Sequence, residues 1–375
     1  MESTAPTSAL TRRRFLVLAA LAPVGLAACG QTLAGTGGST SASASASGAA
    51  SPAAAAASAI SSAAASVSAS LSAPSGTLVA FDVGAKNVTL IDVAKNEVTA
   101  TKALGAAIRW LNDGQTFWDG KEIWTYDFPA NKLQVLSIDP STWQVTKRVP
   151  VGNGPGHSVV LSKDHKIASI NVAGDNKIVA VDTASGKVTG SAATGKFPCD
   201  LDNSADFSQL YTPERDQDTV AMFDAATLHL TKRVAFPSGS NPHMLRVSPD
   251  GATVWVQTVK AGTNVVLKAA DLSVLSTQKV GKAPVSNAWS PDGAWAIVTN
   301  SGDDTATLFN AKTYKAVRTI TVGQGPSNVA FRPDGKFAYI SLTGANSVAV
   351  VDTGTWELAK TVKVGPQPQG LILLP

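Results

Sequence analysis

The chain has 375 residues and a formal charge of +4 at neutral pH, from 31 Lys and Arg against 27 Asp and Glu. Residues 1–28 hold Arg12, Arg13, Arg14 and Glu2, a net +2, so only +2 is spread over the rest; no basic stripe survives and nucleic acid is excluded as a partner. Two cysteines, Cys29 and Cys199, exclude a disulfide-built scaffold, so the fold stands on packing.

In chain order, the first element is a targeting segment, residues 1–28, set apart from the fold. Arg12-Arg13-Arg14 is a basic start, and FLVLAALAPVGLAA after it is too short to span a bilayer comfortably. Leu26-Ala27-Ala28-Cys29 resembles the lipobox of bacterial lipoproteins, which implies cleavage before Cys29 and a diacylglyceryl group on its sulfur. Thr11-Arg12-Arg13-Arg14-Phe15-Leu16 resembles a twin-arginine (Tat) export motif, which implies folding before export; an ordinary basic start explains the same run. The expected location is extracytoplasmic, on the cell surface or in a periplasm, with the membrane as a partner through the lipid.

Residues 29–74 continue with Ala, Ser, Gly and Thr, without a charge or an aromatic ring. Such a segment cannot bury enough apolar surface to offset its ordering entropy. It reads as a tether with a coil span of about 35–40 Å.

From residue 75 to 375 the chain repeats itself. Ser290 to Gly323 shows the unit: an SPDG turn, the alternating strand AWAIVTN, a polar loop, the strand TATLF, a turn at Asn310 and the strand AVRTITVG. The turn aspartate recurs at Asp119, Asp164, Asp206, Asp250, Asp292 and Asp334. The residue closing the middle strand recurs at Asp92, Asp139, Asp182, Asp224, Asp271, Asn310 and Asp352. Marks mostly 42 to 47 residues apart suit four-stranded propeller blades. The reading is an all-β, seven-bladed β-propeller and a monomer. Its last blade combines the C-terminal strand QGLILLP with three N-terminal strands, TLVAFDVG, NVTLIDVA and EVTATKALG, which removes the open edge of a linear array.

SPDGAWAIVTN, VGQGPSNVAF and RPDGKFAYISLTGANSVAVVDTGTWELAKTVKVG resemble the YVTN-type (YncE-like) β-propeller repeat family over roughly residues 75–375. The resemblance implies the fold; members share a scaffold rather than one chemistry.

Aligned on the residue that opens each innermost strand, three consecutive units offer His157, Cys199 and His243, with Val285, Ser327 and Gln369 in the others. Two imidazoles and a thiolate suit copper or zinc if all three point into the channel; a buried Cys is otherwise a small apolar filler. Asp200 and Met244 are the next neighbours, and Asp200 is expected, with His157 and His243, to face a ligand on the channel face. Arg109 and Trp110 stand in a lengthened loop on the same face and could line a binding mouth, while Trp124 and Tyr126 read as inter-blade packing. Arg215 belongs to the charged run Glu214–Asp218, also on this face. The repeated Asp and Asn residues read as turn formers. His165 and His229 read as exposed.

No nucleophile elbow, P-loop, HExxH or calcium-loop pattern appears, nor a carboxylate pair for acid and base catalysis. The leading functional expectation is a non-catalytic scaffold that binds a protein, glycan or small molecule on the channel face. The alternatives are a copper, zinc or redox propeller using His157, Cys199 and His243, and a lactonase-like hydrolase, since some lactonases are seven-bladed propellers.

Overall fold

A computed structural model describes residues 76–109 and 117–374. The expected signal peptide, the lipidated Cys29, the tether and Trp110 lie outside the described residues.

Among the described residues the strands form seven separate antiparallel sheets, six of four strands and one of three. Blade five shows the plan: Pro284–Trp289 lines the channel, then Trp295–Asn300, Thr305–Asn310 and Lys315–Thr321 step outward. The ring closes as the sequence leads one to expect. Thr77–Asp82 pairs with Pro368–Leu374, setting Leu78 opposite Leu373 and Val79 opposite Ile372.

Strand alternation explains how the blades hold together. Each middle strand is covered on both faces, so its side chains divide between two neighbours instead of between core and water. Leu78, Ala80 and Ile91 pack with Tyr339 and Val348 of blade six. Their neighbours Val79, Phe81 and Val88 pack with Ile123 and Leu136 of blade one. The described residues form seven such apolar clusters, one at each blade interface. Trp124 and Tyr126, both buried, lie in the cluster between blades one and two.

The outermost strands are the exposed edges. Glu357–Lys363, ELAKTVK, is exposed at six of its seven positions and carries charge at three. In every blade the outermost pair contains a register shift, as at Leu308/Phe309 and Val350/Val351. Bulges and charges on an edge oppose pairing with another chain.

The repeated acids are structural. Asp92 Oδ1 accepts the amides of Ala94 and Lys95, and Asp352 Oδ1 those of Gly354 and Thr355. Asp292 Oδ1 accepts Ser290 Oγ at 2.5 Å and the Ala294 amide at 3.0 Å.

Among the described residues blade one shows three strands, Ile123–Asp127, Lys132–Asp139 and Gln144–Asn153, with a bridge between Trp118 and Ile123 on its inner side; residues 110–116, where the repeat places its innermost strand, lie outside the described residues. Asp119 holds the turn there, accepting the Glu122 amide at 2.6 Å and Trp124 Nε1 at 2.8 Å.

Candidate metal centre

One loop position in each blade sets up the channel mouth. The turn between second and third strands needs a left-handed residue, supplied by Asn176 (φ 51°), Asp218 (φ 55°), Asp304 (φ 59°) and Asn346 (φ 51°). Asn and Asp tolerate that region and present a short polar side chain. The side chain grips the loop of the next blade. Asn176 Oδ1 accepts the Phe197 amide at 2.8 Å, fixing the approach to Cys199. Asp218 accepts the Gly239 and Asn241 amides, both at 2.7 Å, fixing the approach to His243.

A bulge then aims the side chain. In blade four, Pro242 pairs with Thr258 and Met244 with Gln257, so His243 is the extra residue. The same shift falls between Pro284 and Ser286 in blade five, leaving Val285 in the equivalent place. Cys199 is anchored by its amide to Pro213 O at 3.0 Å and by the bridge from Pro198 to Glu214. Glu214 is fully buried, and Arg233 closes on it with two bonds of 2.6 and 2.8 Å.

The result is a convergence from three consecutive blades. One donor atom each from His157, Cys199 and His243 lie within 4.8 Å of one another. The two rings stand edge to face, 5.1 Å between centroids and 83° between planes. Bonds of about 2.0–2.3 Å to a central ion would draw these donors only slightly inward.

Electrostatics prepares the imidazoles and restrains the thiol. Burial, then the charge interactions with His243, Arg215 and Arg109, holds His157 well below the ordinary histidine range. Burial and Arg215 bring His243 down to about 4. Both rings are therefore neutral at pH 7, with lone pairs to donate. Burial pushes the Cys199 thiol far up, and Arg215 offsets this only in part. Without a metal Cys199 is a protonated, poor nucleophile; a coordinated ion would remove its proton.

Arg215 is anchored beside the site, 3.7 Å over the Phe197 ring and 2.9 Å from Asp216. Arg109 stacks at 5.1 Å on Phe128. Asp200, proposed from the sequence as a ligand-facing acid, is instead fully buried and committed to structure. It accepts Ser158 Oγ, the Leu201 amide and the Leu245 amide. His165 and His229 are exposed and stand apart from the triad.

With the geometry in view, the chain can be set beside known proteins. A family model described as lactonase, 7-bladed beta-propeller, matches residues 264–371. That stretch excludes all three donors. The periplasmic gluconolactonase PpgL of Pseudomonas aeruginosa superposes with a TM-score of 0.67 at 18% identity, covering 80% of this chain and 99% of that one. A putative 6-phosphogluconolactonase of Bacteroides fragilis gives 0.67 at 15%, over 82% and 100%. A Lactobacillus plantarum protein gives 0.70 at 14%, over 80% and 100%. These likenesses establish the propeller and no more. No curated protein matches the chain in sequence.

Beyond the triad, the channel holds residues that the sequence reading passed over. Arg246, buried, opposes Asp200 and Asp202, both raised by burial first and lowered in part by that guanidinium; Asp202 reaches about 6. Their only signal is a charged residue inside an innermost strand, at Asp202 and Arg246, where other blades carry Ala288, Ala330 and Ile372.

Proposed function

We propose that the protein is an exported, lipid-anchored propeller of YVTN-type repeats that binds one copper or zinc ion through His157, Cys199 and His243. The carrying observation is the approach of these three donors, from three consecutive blades, to within 4.8 Å. Two neutral imidazoles and a buried thiol are donors of the right softness for those metals. Three protein ligands leave a coordination position for water or a ligand, and Arg109 and Arg215 give that side a preference for anions. The bare scaffold reading has no comparable feature to rest on.

The test is elemental analysis of the full chain, purified through its own export route, beside a His157→Ala, His243→Ala variant. Near-stoichiometric copper or zinc in the wild type and its loss from a folded variant is the expected result. Metal absent from both would leave a tethered binding propeller.

Lactone hydrolysis is the second reading, favoured by the family match over residues 264–371. A metal at a three-ligand site would supply carbonyl polarisation and an activated water, and the two arginines would orient a carboxylated or phosphorylated lactone. Hydrolysis of such a lactone by the metal-loaded protein, abolished in the same variant, is the result this reading requires.

A further inference from the structure

The innermost strands start at the triad and run down the channel, and their far ends open into a second cavity of about 1080 Å³. Among the polar residues that line it are Asp202, Arg246 and Asn287, each at most 8% exposed. Its wall includes Trp118 and Trp289, both only partly buried. Trp289 is held in place edge to face against Trp255, 5.4 Å away.

Asn287 is the informative residue. It is fully buried, yet both its amide nitrogen and its amide oxygen have no hydrogen-bond partner in the protein. A buried carboxamide left so costs about 1–3 kcal/mol, which a native core rarely tolerates without a ligand or water in view. The group beside it must both donate and accept. A hydroxyl does both; a carboxylate or an ammonium does one. Asp202 and Arg246 present opposite charges together, so the floor favours neither an anion nor a cation. Indole rings offer a flat apolar face to C–H groups.

We infer that this second mouth binds a neutral carbohydrate, its rings against the indoles of Trp118 and Trp289 on the wall and its hydroxyls on Asn287, Asp202 and Arg246. The cavity is at the upper end of the range for small-ligand sites and holds a disaccharide. The site is independent of the metal centre, lying at the opposite ends of the same strands.

The experiment is a titration of the full chain, in a detergent without a sugar headgroup, with cellobiose, maltose and chitobiose. Tryptophan fluorescence and saturation-transfer NMR report binding. Saturable binding of at least one disaccharide is expected, weakened at least about tenfold by Asn287→Ala and by Trp118→Ala. The His157→Ala, His243→Ala variant should bind sugar as the wild type does. Trp118 is only partly buried, at the margin of the apolar cluster between blades seven and one, so its variant removes less packing than a core truncation and keeps the test alive should Asn287→Ala not fold. No binding of any of the three sugars, or binding indifferent to both substitutions, overturns the inference.

Discussion

His243 owes its low proton affinity to burial and to Arg215, and that has a consequence for stability. The unfolded chain protonates this ring near its ordinary value of 6.5; the folded chain resists until about 4. Between those values the unfolded state holds more protons, so acidification through that window destabilises the fold. His157 acts in the same direction. Asp82 and Asp202, raised to about 6 by burial, act oppositely, because the folded carboxyl takes its proton first. The histidine effect must therefore be read as a difference. In metal-free protein, the wild type should lose stability relative to His157→Gln, His243→Gln as pH falls from neutral toward 5, by at most about 1.4 kcal/mol per pH unit and ring. Urea unfolding at several pH values measures this, and a relative gain on acidification would mean the rings are charged in the fold. The triad was legible in the sequence because the repeat aligns His157, Cys199 and His243 in one column. Asn287 was not, since its column elsewhere reads Val159, Leu201, Leu245, Val329 and Leu371, an apolar filler position.

Turn aspartates and alternating strands were readable as elements, because local hydrogen bonding and side-chain alternation dictate them. In blade one the described strands follow the same pattern, and the bridge from Trp118 to Ile123 marks where the inner side of the blade begins. Another element has a private feature. The turn opening at Arg332 replaces the serine found at Ser162, Ser204, Ser248 and Ser290. Arg332 takes over the serine's bond to the turn aspartate, donating to Asp334 at 2.7 and 2.8 Å, and adds a bond from Nη1 to Val93 O in the next blade at 3.0 Å. It also lies 4.5 Å over the Phe337 ring. Arg332→Ser should restore the common turn and lose the inter-blade tie, costing about 1–3 kcal/mol. Equal urea midpoints for wild type and Arg332→Ser would show that the tie carries no stability.

At the scale of the molecule, the ring depends on one short strand from the end of the chain. Pro368–Leu374 gives blade seven its channel strand and supplies buried side chains to two interfaces at once. Leu371 packs toward blade six and Ile372 toward blade one, both without exposure. Truncating one such residue to Ala costs about 2–5 kcal/mol. Removing both, with the ladder to Thr77–Asp82, approaches or exceeds the total stability of about 5–15 kcal/mol typical of a domain. A chain ending at residue 367 should therefore lose its cooperative thermal transition, whereas Ile372→Ala should keep a single transition at a lower temperature. The truncated chain also exposes Thr77–Asp82 as an unprotected inner edge, open to pairing with a second molecule. Size-exclusion chromatography should find it as oligomers, and the peptide QPQGLILLP added in excess should restore the monomer. The donor triad makes the same experiment informative about function. His157, Cys199 and His243 lie in blades two to four, remote from the seam, so a metal retained by the opened chain would show that those blades hold their arrangement without a closed ring. Loss of metal with the thermal transition would show that closure itself brings the three donors together.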